Sequence, residues 1–303
     1  MKKKFIAKKN KRKRLLKYLF FFCFFLFGLY LSFYFLNKST IKISDKTIAK
    51  FIVDLAYNNK IFSNKESIIN KLTPVDLLEN NYYDFSLPKT EEPVVTKAKE
   101  PLIYIYNSHQ TESYQPSNFA EFSINPTVMV ANYILADILE EHNLETVIEE
   151  RSIKEILNQN NWRYSYSYMA SRFFLEDAKN NYPSLTYYID IHRDSIKKEK
   201  TTVTINNKQY AKTIFLIGLE NPNYQENLSF TTLINDKMNE RYPGLSKGIY
   251  KKGGEGVNGV YNQDFSNRAI LIEIGGYENT LSEVLNSVVA FSDCFMEVIN
   301  DEI

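Results

Sequence analysis

Cysteine, histidine, glycine and proline are all scarce in this chain. Of 303 residues only two are cysteines, Cys23 and Cys294 near opposite ends, which leaves neither a disulfide framework nor a paired metal knuckle. Dithiol redox chemistry has no residues to run on. The three histidines, His109, His142 and His192, bound any metal site, which must draw on them and be completed by carboxylates. Ten glycines and nine prolines are too few for a collagen-like or low-complexity chain, and a hydrophobic share of 44% is enough to fill a core. The length suits one large or two small domains.

Net charge is nearly absent too, +1 in total, but it is unevenly placed. Ten of the 37 basic residues lie between Lys2 and Lys17, ahead of any acidic residue, so the remainder carries 27 basic against 36 acidic residues, a net of −9. That body has no electrostatic footprint for nucleic acid, and none is expected as a partner. Directly after the basic run, residues 18–36 read YLFFFCFFLFGLYLSFYFL. About 20 apolar residues at roughly 1.5 Å each cross a bilayer core of about 30 Å. The run exceeds the usual apolar region of a cleaved signal peptide, about 7 to 15 residues, and no small-x-small site follows it, so it reads as a retained transmembrane helix. The positive-inside rule leaves residues 1–17 as a cytoplasmic tail and makes the chain a single-pass protein of the cell membrane, with its working part extracytoplasmic.

Residues 37–100 read as a stalk and linker. Ile48, Phe51, Ile52, Leu55 and Ala56 fall at helical spacing, but Leu87 to Glu100 (LPKTEEPVVTKAKE) has two prolines and little to bury. A compact domain is expected over 101–303. Strands are predicted at Leu102–Asn107, Thr146–Ile148, Leu185–Ile191 and Ala269–Ile274, with a hairpin from Thr201–Ile205 through Asn206-Asn207 into Gln209–Ile217. Helices are predicted after an Asn125-Pro126 cap, at Ser165–Lys179, at Glu226–Arg241, and behind a Thr280/Glu283 capping box. Strands alternating with helices make this an α/β fold, a mixed central sheet flanked by helices.

Open α/β sheets place chemistry beyond the carboxyl ends of their strands. The first strand runs into Asn107-Ser108-His109-Gln110-Thr111-Glu112, the third into Asp190-Ile191-His192-Arg193-Asp194-Ser195, and the last carries Glu273 among apolar neighbours. A carboxylate there is costly unless paired, metal-bound or protonated, and Arg268 or Arg193 are the candidate ion-pair partners. A hydrolytic zinc ion takes three nitrogen or oxygen ligands and keeps one open position. His109, Glu112 and His192 would supply two imidazoles and a carboxylate, with Glu121 in reserve for the carboxylate. Glu273 would then take a proton from the attacking water and pass it to the leaving nitrogen. His142, beside Glu140 and Glu141, reads as a solvated helix C-terminus. Gly254 to Gly259 matches G-x-G-x-x-G but no helix pattern follows, which makes it a rim loop and not a dinucleotide fingerprint. Ser113 or Ser195 with His192 lacks the elbow of a serine hydrolase.

Five ordered segments carry a resemblance: Ile105 to Tyr114, Asp190 to Ser195, Tyr242 to Ser246, Gly259 to Asp264, and Ile272 to Gly276. Together they closely resemble the stage II sporulation protein P family over roughly residue 101 to the C-terminus. The resemblance implies a fold and activity like those of the zinc N-acetylmuramoyl-L-alanine amidases, acting on peptidoglycan. It further implies a second activity on stem-peptide cross-links, membrane anchorage at a sporulation septum during engulfment, and partnership with stage II sporulation proteins D and M. It assigns His109, Glu112 and His192 as Zn2+ ligands and Glu273 as the catalytic carboxylate; the guanidinium of Arg193 would then suit a substrate-carboxylate clamp or an oxyanion donor. Members often carry a histidine where this chain has Asn107, which is expected behind the ligands. The contrasting reading is a non-catalytic, membrane-anchored peptidoglycan-binding or scaffold protein.

Overall fold

Alternation along four strands decides the architecture. In the computed structural model, residues 44–50, 100–114 and 126–300 are described. Strand β1 (Ile103–Tyr106), β2 (Thr146–Ile148), β3 (Tyr187–Asp194), β6 (Thr213–Gly218), β7 (Ser246–Lys252) and β8 (Ala269–Gly276) form one sheet in the order β2-β1-β3-β8-β6-β7. The first four are mutually parallel; β6 runs antiparallel to β8, and β7 parallel to β6. Strands β4 (Thr202–Ile205) and β5 (Lys208–Ala211) form a separate hairpin, turning at Asn206 and Asn207, both at positive φ, as a tight hairpin turn demands.

Because successive side chains point to opposite faces, Ile103, Ile105, Ile189, Ile191, Phe215, Ile270, Ile272 and Ile274 share one face and form the main core. That face is covered by α1 (Met129–Glu141), α4 (Tyr224–Arg241) and α5 (Leu281–Asn300), which contribute Ile134, Leu135, Ile234, Phe291 and Phe295 to the same core. The opposite face carries Tyr104, Tyr106 and Tyr188 beneath α3 (Ser167–Asn181), with α2 (Ile153–Gln159) beside it. Beyond α3, over β8, β6 and β7, that second face opens into a cleft.

Several expectations shift. Helix α1 starts at Met129, because the Pro126 carbonyl accepts from Tyr114 N at 2.8 Å and the backbone around it forms a bridge with Ser113. Residues 45–50 are helical and bring Ile48 and Ala49 into the main core, while the Asp45 carboxylate accepts from Thr127 N and Oγ1. Part of the segment read as stalk therefore packs against the domain. The strand expected from Gln209 to Ile217 breaks at Lys212, whose N–H and carbonyl are bound by Thr201 and Gly275 as the chain passes from hairpin to main sheet. The capping box forms as expected: Thr280 Oγ1 accepts from Glu283 N at 3.3 Å, and Glu283 Oε2 from Thr280 N at 2.9 Å. Among the described residues no helix is long and apolar enough to cross a membrane; the apolar run 18–36 lies outside them, as does Glu121.

Candidate metal centre

The site lies at the carboxyl ends of β1, β3 and β8. Strand β3 runs three residues further than its apolar pattern, so His192 is still in the sheet, paired in register with Glu273 of β8, which faces Ile214 of β6. One row across three strands therefore aims His192, Glu273 and Ile214 into a cleft of about 800 Å³. His109 and Glu112 come from the turn after β1, which Glu112 N closes by donating to the His109 carbonyl at 3.0 Å.

Ligand atoms of His109, Glu112 and His192 all lie within 4.8 Å of one another. Glu112 bridges the pair, with Oε1 3.4 Å from His109 Nδ1 and Oε2 3.5 Å from His192 Nδ1. Two imidazoles and a carboxylate converging on one point, with the cleft on the free side, fit the three-ligand pattern of hydrolytic zinc. Burial opposes ionisation of Glu112, but the hydrogen bonds to His109 and His192, the His192 charge and the Arg193 N–H outweigh it and hold the carboxyl well below its ordinary range. Burial likewise disfavours a charged His192, yet Asp190 and Glu112 push its pKa up to about 10. A cation taken up here competes with a proton.

The far side of His192 is built as carefully as the near side. Its Nε2 is 3.0 Å from Asp190 Oδ1 and 3.0 Å from Ser108 Oγ, while Asp190 also accepts from Ser108 N at 2.9 Å and Ser108 Oγ at 2.7 Å. The bond to a carboxylate keeps Nε2 protonated, so Nδ1, toward Glu112, is the nitrogen that would give up its proton and offer a lone pair to a cation. Neither Asp190 nor Ser108 was picked out from sequence, although a strand Asp-x-His places both side chains on one face. Asn107 stands behind them as expected, donating to the Ile191 carbonyl at 2.6 Å and exchanging bonds with the buried Asn132 of α1. Tyr164 stacks on His109 at 4.9 Å, and Tyr168 on His192 at 6.3 Å, walling the imidazoles.

Glu273 lines the cleft beside this cluster, and among the described residues it forms no ion pair with Arg268 or Arg193. Burial first, then the Asp194 charge, raises its pKa, with His192 opposing. Arg193 also lines the cleft, but its guanidinium is tied to the Ser113 and Asp194 carbonyls and its N–H to Glu112, so it braces the ligand loop. His142 caps the end of α1 and is not part of the cluster. The glycine-rich loop supplies Gly256, Val257 and Asn258 to the cleft rim, and only the one-turn helix Gln263–Phe265 follows it.

Comparison with known proteins adds the family. Stage II sporulation protein P of Bacillus subtilis (strain 168) is 36% identical over 215 residues, 69% of this chain and 53% of that protein. The chain thus spans about half the length of that curated relative. Among solved structures, the CwlD amidase from Clostridioides difficile in complex with the GerS lipoprotein aligns with a TM-score of 0.44 at 11% identity, covering 65% of this chain and 98% of that one. Cwp6 from Clostridium difficile aligns with a TM-score of 0.40 at 10% identity, covering 67% and 30%. The family model for Stage II sporulation protein P matches residues 86–296, and the chain belongs to that family.

Proposed function

We propose that the chain is a membrane-anchored, zinc-dependent N-acetylmuramoyl-L-alanine amidase that hydrolyses peptidoglycan at a sporulation septum. The carrying observation is the convergence of His109, Glu112 and His192, with Glu273 one strand away on the same cleft wall. Zinc held there would polarise the scissile carbonyl and bring the pKa of a water toward 7. Asp190 and Ser108 fix the His192 tautomer, and the Arg193 backbone N–H orients Glu112. Glu273, its pKa raised toward the working range, accepts the water proton and returns it to the leaving nitrogen. Arg193 is the residue nearest in kind to a substrate clamp, with the donors its two carbonyl contacts leave over.

The anchor is residues 18–36, with the domain outside. Activity on cross-links and partnership with stage II sporulation proteins D and M are proposed on the family resemblance alone. The full chain, incubated with isolated peptidoglycan and excess zinc, is expected to release stem peptides with free N-terminal alanine, read by mass. Intact peptidoglycan with zinc bound would support the non-catalytic wall-binding reading instead.

A further inference from the structure

The wall of the cleft opposite the imidazoles is the edge strand β7, and its residues have no part in the chemistry above. Lys247, Tyr250 and Lys252 all line the cleft. Tyr250 and Lys252 share a face by strand alternation, but Lys247 has the wrong parity. The correction is a bulge: Thr213 pairs with Ser246 and Phe215 with Ile249, so β7 holds one extra residue there, and Gly248 takes φ +96°. The extra residue turns Lys247 to the cleft face.

The two lysines are not equivalent. Lys247 Nζ sits 3.5 Å from Asp194 Oδ2, which offsets its charge. Lys252 is exposed and forms no salt bridge among the described residues. It lies opposite Gly218, four residues along β6 from Ile214 and the Glu273 row, roughly 13 Å at about 3.3 Å per residue. Between the two lie Leu216 and Leu271, both lining the cleft, and Tyr250, 45% exposed. The cleft therefore runs from the metal cluster over an apolar floor to the Lys252 ammonium, whose charge still acts on Glu273; with a side chain about 6 Å long it can meet a carboxylate about two extended residues from the scissile amide.

We propose that Lys252, with Tyr250 beside it, forms a carboxylate-binding subsite, and that the cleft takes a short acidic peptide extending from the scissile amide along that floor. This rests on the amidase reading and adds the recognition of the stem peptide's first acidic residue. Lys252 reads the carboxylate, the leucines take the intervening methyl-bearing residue, and Lys247 remains with Asp194 as part of the wall.

The test uses the zinc-loaded full chain carrying Glu273→Gln, so that ligand persists during calorimetric titration. The probes are N-acetylmuramoyl-L-alanyl-D-glutamate with a free α-carboxylate and its α-carboxamide, both blocked as the γ-methylamide. The carboxylate is expected to bind about five-fold more tightly, as an exposed charge pair permits. Adding Lys252→Met should erase that preference without weakening the amide, Lys252→Arg should restore it, and Lys247→Met should leave it in place. Preference retained in Lys252→Met, or lost in Lys247→Met, overturns the assignment. Hydrolysis by the chain with native Glu273 is measured separately. Its absence together with an intact preference defeats the amidase reading and leaves the subsite standing, whereas hydrolysis without preference defeats the subsite alone.

Discussion

The two faces of the central sheet are made from the same strands and obey different rules. On the closed face, Ile272 and Ile274 of β8 belong to the main apolar core beneath three helices. On the other, Glu273 from between them stands beside His192, Asp190 and Ser108, and the covering layer stops at α3. The closed face supplies rigidity; the other holds buried charge that its own burial disfavours. A polar network of this kind is tolerable only where each member is satisfied, and Ser108, Asp190 and His192 satisfy one another while Glu273 faces the cleft.

The largest expected contrast is between neighbours on β8. Glu273→Gln should lower hydrolysis of isolated peptidoglycan about 10² to 10⁴-fold, with zinc content, measured by atomic absorption, unchanged. Activity at the native rate would remove Glu273 from the mechanism. Ile272→Ala, one residue earlier and on the closed face, should instead cost about 2 to 5 kcal/mol of stability in denaturant titrations. The folded fraction should still bind zinc. Asp190→Asn tests whether the second face depends on what stands behind its ligands: zinc affinity, read by competition with a chelator, should fall roughly 10 to 100-fold. Native affinity would mean that His192 is oriented by its strand alone.

The smallest effect concerns pH. Glu273 has its folded pKa raised above the ordinary value of 4.5, so the folded chain holds that proton more strongly than the unfolded one. Stability contributed by this group therefore falls as pH rises from the unfolded pKa through the folded one, and stays low above it. In metal-free protein, thermal melting of the native chain and Glu273→Gln should coincide near pH 4, with the variant the more stable at pH 8. A variant melting lower at pH 8 would place Glu273 in an ion pair.

Most elements were visible in the sequence wherever burial was one-sided or a cap was written locally. The isoleucines of β1, β3 and β8, the Thr280/Glu283 box and the Asn-Asn turn all announced themselves. Strand β7 did not, because SKGIYKK is charged and interrupted by its own bulge, and an edge strand facing a cleft needs no apolar alternation. Helix α2 escaped because only Ile153 and Leu157 are buried, although Ser152 accepting from Glu155 N at 3.2 Å was a readable cap. The ligands were found from strand ends and the shortage of histidine. Asp190 was missed since its role exists only once β3 is known to continue through His192.

Strand order also sets a sequence of events. Among the described residues β8 is the last strand in the chain, yet it lies between β3 and β6 and pairs with both. Until it is delivered, the parallel strands β2, β1 and β3 and the oppositely directed pair β6 and β7 have no common partner, and such non-local pairing is slow. Glu273, the proposed proton acceptor, rides on that strand. A chain emerging N-terminus first thus holds His109, Glu112 and His192 long before Glu273, and under the proposed mechanism the site is complete only when the sheet closes.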